Sequence, residues 1–93
     1  MEKLSDSAIQ QQMDNLTGWE LIDDGIEKSF VFRDFKEAFS IMTRIAMECE
    51  VRNHHPEWSN VYNRLNIRFS THDAGGLTDS DFNLARTVDA IVG

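Results

Sequence analysis

The middle of the chain carries the strongest structural signal, an apolar stripe repeated at helical spacing. Residues three and four positions apart lie on one face of an α-helix, so the stripe predicts a helix of about four turns whose apolar face packs into a core. The residues of the stripe are Phe35, Ala38, Phe39, Met42, Ile45, Ala46 and Cys49.

Both ends of this helix have recognisable signals. Asp34 and Glu37 occupy the N-cap and N3 positions of a capping-box variant at its start. Pro56 disfavours the α conformation for the residue before it, so the helix should end near residue 52 or 53. Asn53 can adopt the left-handed conformation that ends many helices. The histidine pair that precedes the proline is therefore expected just beyond a helix C-terminus.

Alternating apolar residues on each side of this helix predict two β-hairpins. The first, WELIDDGIEKSFVFRD, turns at residues 23–25, because Asp and Gly tolerate the positive φ of tight turns. The second, EWSNVYNRLNIRFSTH, turns near Asn63 and Arg64. The apolar residues that alternate on one face are Ile26, Phe30 and Phe32 in the first hairpin and Trp58, Tyr62, Leu65, Ile67 and Phe69 in the second.

The register of the second hairpin decides where its C-terminal histidine lies. If both apolar sets face one core, an even-numbered position must pair with an odd-numbered one. A two-residue loop at Asn63 and Arg64 then places His72 directly opposite His55, and a slip of two residues places it opposite Glu57. In either register, the last histidine is expected beside the first two.

Two more helices are predicted towards the ends of the chain. The first has Ser5 as its N-cap and continues to about residue 15. The last has Thr78 as its N-cap and Asp81 at N3, with Leu77 and Phe82 placed as a hydrophobic staple. The apolar stripes are Ile9, Met13 and Leu16 in the first helix and Leu84, Ala85, Val88 and Ile91 in the last. The predicted order is therefore helix, hairpin, helix, hairpin, helix.

Length and composition exclude several classes of protein. The 93 residues are too few for two independent cores, so we expect a single domain over residues 1–93. One cysteine cannot form an internal disulfide, and the N-terminal residues lack the apolar run of a signal peptide, which together predict a cytoplasmic protein. No stretch approaches the roughly 18 apolar residues of a membrane span. The net charge of -7 argues against a nucleic-acid partner.

The candidate functional residues are the three histidines and the acidic side chains expected near them. Imidazole has the unperturbed pKa nearest neutrality, so clustered histidines predict proton transfer at working pH. A tryptophan close to them offers a flat wall for a planar heterocycle. The residues concerned are His54, His55, His72, Glu50, Glu57, Asp81 and Trp58.

Three other interpretations of the cluster stay open. The histidines could be surface or capping residues without a chemical role, and Asp81 is explained equally well by its place at N3 of a helix. A metal site is disfavoured, because adjacent histidines in an extended segment point to opposite sides. Nucleophilic catalysis is disfavoured, because Cys49 lies on the buried stripe and no serine has an evident His and Asp partner.

Four short segments, NHHPEW, NVYN, STH and GLTDSDFNLA, carry a recognisable signature. The signature residues, in order along the chain, are Glu50, His54, His55, Pro56, Tyr62, His72 and Asp81. With these residues at these spacings, the chain resembles the pterin-4a-carbinolamine dehydratase family over about residues 30 to 92.

The resemblance implies an α+β domain, with a four-stranded antiparallel sheet and three helices in the order α-β-β-α-β-β-α. It also implies a homodimer or homotetramer that uses no metal and no organic cofactor. Members of this family dehydrate a 4a-hydroxytetrahydropterin to the quinonoid dihydropterin. That substrate is the product left by an aromatic amino acid hydroxylase, so the reaction belongs to the recycling of pterins such as tetrahydrobiopterin.

Carried over to this chain, the resemblance makes His54 and His72 the acid/base groups and His55 mainly a substrate-binding residue. Glu50 and Asp81 would support the site. The family also includes dimerization cofactors of a transcription factor, so a role as a protein-interaction module and transcriptional coactivator is the alternative. An exposed apolar face on the central helix would favour that alternative.

Overall fold

The computed structural model describes residues 2–93. Within that range the chain forms three α-helices and four β-strands in the order α-β-β-α-β-β-α, which confirms the predicted α+β fold. The elements are α1 (Asp6–Asp14), β1 (Glu20–Ile22), β2 (Gly25–Val31), α2 (Phe35–Val51), β3 (Glu57–Val61), β4 (Arg64–Phe69) and α3 (Asp79–Val92). A single turn of 3-10 helix, His72–Ala74, lies between β4 and α3. None of the helices in this range is both long enough and apolar enough to cross a bilayer.

The four strands form one antiparallel sheet in the order β1-β2-β4-β3. Strand β4 is therefore paired on both sides, and β3, which follows Pro56 directly, lies at an edge. Trp58 of β3 lies opposite Ile67 of β4, which confirms the expected pairing of even with odd positions. The apolar residues of β4 consequently share one face of the sheet.

The register predicted for the second hairpin is wrong by two residues. Tyr62 and Asn63 form the turn, and Val61 pairs with Arg64. Tyr62 has a φ of 53°, so the aromatic residue, and not the asparagine, adopts the left-handed conformation. The Asn60 side chain closes the turn by donating to the carbonyl oxygens of Tyr62 and Arg64, at 3.0 and 2.7 Å. Tyr62 is thus an exposed turn residue and does not belong to the strand.

This register also changes the predicted position of the third histidine. His72 lies beyond the end of β4, in the 3-10 turn, and has no partner in the sheet ladder among the described residues. It is therefore opposite neither His55 nor Glu57 in the sheet. Its proximity to the other histidines depends on the loop that leads from β4 to α3.

Helices α2 and α3 pack against each other and against β4, and together they cover one face of the sheet. The buried residues between these elements form one hydrophobic cluster. Its members are Trp19, Ile26, Ile45, Cys49, Leu65, Ile67, Phe69, Leu77, Phe82, Leu84, Ala85 and Val88.

Helix α2 buries only part of its predicted apolar stripe. Ala38, Ile45 and Cys49 are buried, whereas Phe35 is 46% and Phe39 54% exposed, so the prediction that these two aromatic residues belong to the core is wrong. On a helical wheel they lie about 60° and 100° from Ala38, at the flank of the buried stripe. They contact each other there, with ring centroids 5.6 Å apart.

The predicted N-caps of α1 and α2 are confirmed. The Ser5 hydroxyl accepts from the backbone N–H of Ala8 at 3.2 Å, and the Asp34 carboxylate accepts from that of Glu37 at 2.8 Å. The Glu37 carboxylate accepts from the backbone N–H of Arg33, one residue before the N-cap, at 2.8 Å. Each cap satisfies a backbone donor that has no partner within its helix.

Candidate active site

The three histidines line one cavity of about 260 Å³. The lining residues are Asn53, His54, His55, Ser70, Thr71, His72 and Asp73. They belong to two segments that are distant in sequence, the end of α2 and the loop after β4. A neighbouring cavity of about 310 Å³ shares four lining residues with the first, namely Asn53, His54, Thr71 and Asp73. The structure therefore brings together the three imidazoles that the sequence analysis grouped.

The C-terminus of α2 directs the histidine pair towards this cavity. Asn53 has a φ of 51°, the left-handed conformation predicted for it. Its N–H donates to the carbonyl oxygen of Glu50 at 3.1 Å, and the N–H of His54 donates to that of Cys49 at 3.0 Å. These are the two hydrogen bonds of a Schellman motif. They fix the direction in which the chain leaves the helix.

His54 is the most enclosed of the three imidazoles, with 16% of its side chain exposed. Its Nε2 lies 2.6 Å from Oδ1 of Asp81, which is fully buried at N3 of α3. Oδ2 of Asp81 accepts the backbone N–H of Thr78 at 2.9 Å and the hydroxyl of Thr71 at 2.8 Å. The imidazole also stacks on Phe69, with ring centroids 6.4 Å apart. The ring plane of His54 is therefore fixed by both packing and hydrogen bonding.

Thr71 is a site residue that the sequence analysis missed. Besides its bond to Asp81, its hydroxyl lies 2.9 Å from that of Thr78, so two threonines and one carboxylate form a connected polar network. Thr71 also lines both cavities. Its place in the STH segment was the one signal available in the sequence. Its position beside the start of α3 depends on the path of the loop after β4, which spacing along the chain does not show.

The other two histidines are more exposed, and each is also paired with a carboxylate. Nε2 of His55 lies 2.8 Å from Oε2 of Glu50, and Nε2 of His72 lies 2.7 Å from Oε1 of Glu57. The side chains of the two histidines are 56% and 78% exposed. The sequence analysis placed Glu57 near the cluster but gave it no role.

The three carboxylates have the same consequence for the imidazoles. A neutral imidazole has one N–H and one acceptor nitrogen, and an ionised carboxylate can only accept. In each pair the carboxylate faces Nε2, so the neutral ring carries its proton on Nε2. Nδ1 is then left as the nitrogen that can take up a proton, which suits these rings to acid/base chemistry.

Trp58 and Cys49, which the sequence analysis considered, neither line the cavities around His54 nor pair with a histidine. Trp58 is half-buried and packs against the hydrophobic core. Cys49 is fully buried, and this burial raises the pKa of its thiol to about 11, with Arg52 lowering and Glu48 raising it to smaller extents. A buried thiol that stays protonated is a packing group and not a nucleophile.

Residues 2–93 contain no group of three or more His, Cys, Asp and Glu side chains arranged to hold a metal ion. The three histidines share one cavity, but Nε2 of each ring is directed at a different carboxylate. The geometry of the cluster is that of three histidine–carboxylate pairs.

A family model described as pterin 4 alpha carbinolamine dehydratase matches residues 2–91. The chain belongs to this family. The match confirms the resemblance found in the sequence and extends it over α1 and the first hairpin.

Curated relatives of the pterin carbinolamine dehydratase family are similar to the chain over nearly its whole length. A protein of Christiangramia forsetii is 51% identical over 92 residues, which cover 99% of this chain and 95% of the relative. A protein of Sinorhizobium fredii is 53% identical over 90 residues, covering 95% and 86%. Both bear the name "Putative pterin-4-alpha-carbinolamine dehydratase".

Solved structures show the same fold. The crystal structure of a transcriptional coactivator/pterin dehydratase from Brucella melitensis has a TM-score of 0.95 and 38% identity, covering 99% of this chain and 100% of the other. A pterin dehydratase-like protein identified as a RuBisCO assembly factor in the alpha-carboxysome has a TM-score of 0.67 and 20% identity, covering 81% and 87%. The second likeness concerns the fold alone.

Proposed function

We propose that the protein is a dehydratase that converts a 4a-hydroxytetrahydropterin to the quinonoid dihydropterin. The observation that carries this proposal is one cavity lined by three imidazoles, each of which is paired with its own carboxylate. Membership of the pterin carbinolamine dehydratase family supports the same reaction class.

The reaction needs one proton to arrive and one to leave. A proton delivered to the 4a-hydroxyl lets the C4a–O bond break, and the oxygen departs as water. Ring nitrogen N5 gives up its proton, and the electron pair of the N5–H bond forms the C4a=N5 double bond. Because the two transfers balance, an acid and a base suffice, and positioned groups of this kind accelerate such steps by about 10² to 10⁴-fold.

We assign the two proton transfers to His54 and His72, which line the cavity from two different segments of the chain. His55 mainly holds the pterin. Asp81 supports the His54 ring and Glu50 the His55 ring through the hydrogen bonds described above. Two imidazoles on separate segments can lie on different sides of one bicyclic ring and exchange protons with it.

Further features of the function follow from the family resemblance and stay predictions. The substrate would come from an aromatic amino acid hydroxylase, and the product would pass to a reductase that regenerates the tetrahydropterin. We also place the reaction in the cytoplasm and without a metal or organic cofactor. The role of Trp58 as a wall of the pterin site stays a prediction as well.

A stopped-flow assay that follows the loss of a 4a-hydroxytetrahydropterin, with and without the protein, tests the proposal. His54→Ala and His72→Ala should each slow the catalysed reaction strongly, and the double variant should lose about 10²-fold or more. Lys36→Ala, at an exposed position at the start of α2, is the control and should keep full activity. Wild-type rates in the folded double variant would eliminate the assignment.

An exposed apolar surface on α2 favours a second proposal, that the protein associates with itself as a homodimer or homotetramer. The exposed apolar residues of this helix are Phe35, Phe39, Met47 and Val51. Met47 also lines a groove of about 470 Å³ between α2 and α3. Apolar patches of this kind mark protein interaction sites more often than isolated apolar residues do.

The same surface supports the alternative function, that of a protein-interaction module acting as a transcriptional coactivator. The Brucella melitensis protein is described as a transcriptional coactivator as well as a pterin dehydratase. Light scattering at micromolar concentration separates these proposals. An oligomeric mass that falls in Phe39→Ser supports self-association through α2, and a monomeric wild-type protein contradicts it. Failure to form a hetero-complex with candidate transcription factors would count against the coactivator role.

A further inference from the structure

Of the three carboxylates that pair with the cavity histidines, Glu57 is the one to which the family resemblance assigns no role. We propose that Glu57 is a positioning residue that orients His72 for proton transfer. This inference rests on the dehydratase function proposed above, because it concerns how one of its acid/base groups is held.

The His72 side chain has little else to hold it. It is 78% exposed, so packing leaves its rotamers largely free. Its backbone is fixed, since Thr71 and Gly76 exchange two hydrogen bonds of 3.2 Å across the loop. Within residues 2–93, the ring makes one hydrogen bond, from Nε2 to Oε1 of Glu57 at 2.7 Å. That bond therefore decides which direction the imidazole faces.

Glu57 is itself attached to a rigid part of the fold. It is the first residue of β3 and pairs with Arg68 of β4. A position in a paired strand is more precisely fixed than one in a loop. The hydrogen bond to Glu57, whose side chain is 60% exposed, therefore links the exposed imidazole of the loop to the sheet.

Arg68 is the obvious competitor for the Glu57 carboxylate, because it lies between Glu57 and Glu27 in one row across the sheet. In the structure its Nη1 donates to Glu27 and to the carbonyl oxygen of Ile22, both at 3.0 Å. Its guanidinium lies over Gly25, where a Cβ would come within 2.4 Å of Cζ. Arg68 is thus engaged on the β1–β2 side of the row, and Glu57 is left to bind His72.

The contact also selects the tautomer of the ring. With Glu57 accepting from Nε2, the neutral imidazole keeps its proton on that nitrogen and presents Nδ1 as the acceptor. Loss of the carboxylate would allow the ring to rotate and would remove this selection. The expected effect falls on the rate of the proton transfer and not on substrate affinity.

Steady-state kinetics of Glu57→Ala and Glu57→Gln test the inference, with Glu20→Ala as the matched control in the same row of the sheet. We expect kcat to fall by about tenfold in Glu57→Ala with little change in KM, because a misdirected acid/base group affects the reacting geometry. Glu57→Gln keeps an acceptor oxygen and should lose less. In a His72→Ala background, Glu57→Ala should cause no further loss, since it acts through the missing ring. Unchanged kcat, or losses that simply add, would overturn the proposal.

A measurement independent of activity distinguishes this proposal from the dehydratase assignment. Three-bond couplings in the NMR spectrum should show one χ1 rotamer for His72 in the wild-type protein and in Glu20→Ala, and averaged rotamers in Glu57→Ala. Averaging already present in the wild-type protein would overturn the positioning role. If the wild-type protein has no dehydratase activity, the function proposed above fails, and the couplings still decide whether Glu57 orients His72.

Discussion

Asp81 holds the His54 ring and caps α3 with the same carboxylate. Oδ1 lies 2.6 Å from Nε2 of His54, and Oδ2 accepts the backbone N–H of Thr78 at 2.9 Å. The side chain is fully buried, so neither bond can be replaced by water without a change in structure. The geometry of the candidate active site and the stability of a helix terminus therefore depend on one residue.

Asp81→Asn should weaken both the hold on the His54 ring and the N-terminal cap of α3. One carboxylate oxygen becomes an NH₂ group that cannot accept, so either the Thr78 N–H at the cap or the Nε2–H of His54 loses its acceptor. We expect the free energy of unfolding to fall by about 2 kcal/mol, because a buried, charge-assisted hydrogen bond is removed. Urea denaturation measures the loss, and the dehydration assay measures the effect on His54. Asp79→Asn, at an exposed position of the same helical turn, should leave both nearly unchanged.

Asn53→Ala should destabilise the end of α2. Asn53 has a φ of 51°, a conformation that costs an ordinary residue about 1 kcal/mol. Asn53→Gly tolerates this conformation and should unfold at nearly the wild-type urea concentration. A loss of equal size in both variants would show that the asparagine side chain, and not its backbone conformation, stabilises the cap.

Asp89→Ala should weaken the attachment of the segment before β1 to α3. The carboxylate accepts from Nε1 of Trp19 at 3.0 Å and pairs with Nζ of Lys28 at 2.8 Å. Since this pair is partly exposed, solvent screening keeps the expected loss of unfolding free energy at about 1 kcal/mol. Asp89→Asn retains an acceptor for the indole and should be intermediate. Equal stability of all three proteins in urea would contradict this role.

The Cys49 thiol should be unreactive in the folded protein. Burial raises its pKa from 9.0 to about 11, so iodoacetamide should label it only after unfolding. Because the folded pKa is the higher one, this contribution to stability is complete below pH 9.0 and is lost as pH rises towards about 11. Over that window the unfolding free energy should fall by up to about 1.4 kcal/mol per pH unit, relative to Cys49→Ala. Parallel pH profiles of the two proteins would contradict the raised pKa.

Local signals in the sequence predicted most of the fold correctly. The caps at Ser5, Asp34 and Asn53 depend on neighbouring residues, and the structure has all three where they were expected. The hairpin register failed because two adjacent loops satisfy the same alternation, and the choice between them depends on hydrogen bonds made by Asn60. Exposure of Phe35 and Phe39 depends on which part of the α2 surface the rest of the fold covers, which no local pattern encodes.

The candidate site was predictable to a similar extent. The position of His54 and His55 follows from the proline that ends α2, and Asp81, the partner of His54, was among the acidic side chains expected near the histidines. The place of Thr71 in the site depends on the path of the loop after β4. The role of Glu57 depends on the fact that Arg68 binds Glu27, which leaves the Glu57 carboxylate to His72. Such choices are set by three-dimensional competition for a partner, and spacing along the chain does not reveal them.

Partial unfolding of the first turn of α3 is enough to disturb the candidate active site. Brief fraying that exposes the Thr78 amide to hydrogen exchange also frees the most enclosed imidazole, because the two share an acceptor. Such local openings require less free energy than global unfolding. Under the proposed assignment of His54, dehydratase activity on warming is therefore limited by fluctuations of a single helical turn, and it should decline while most of the sheet is still protected.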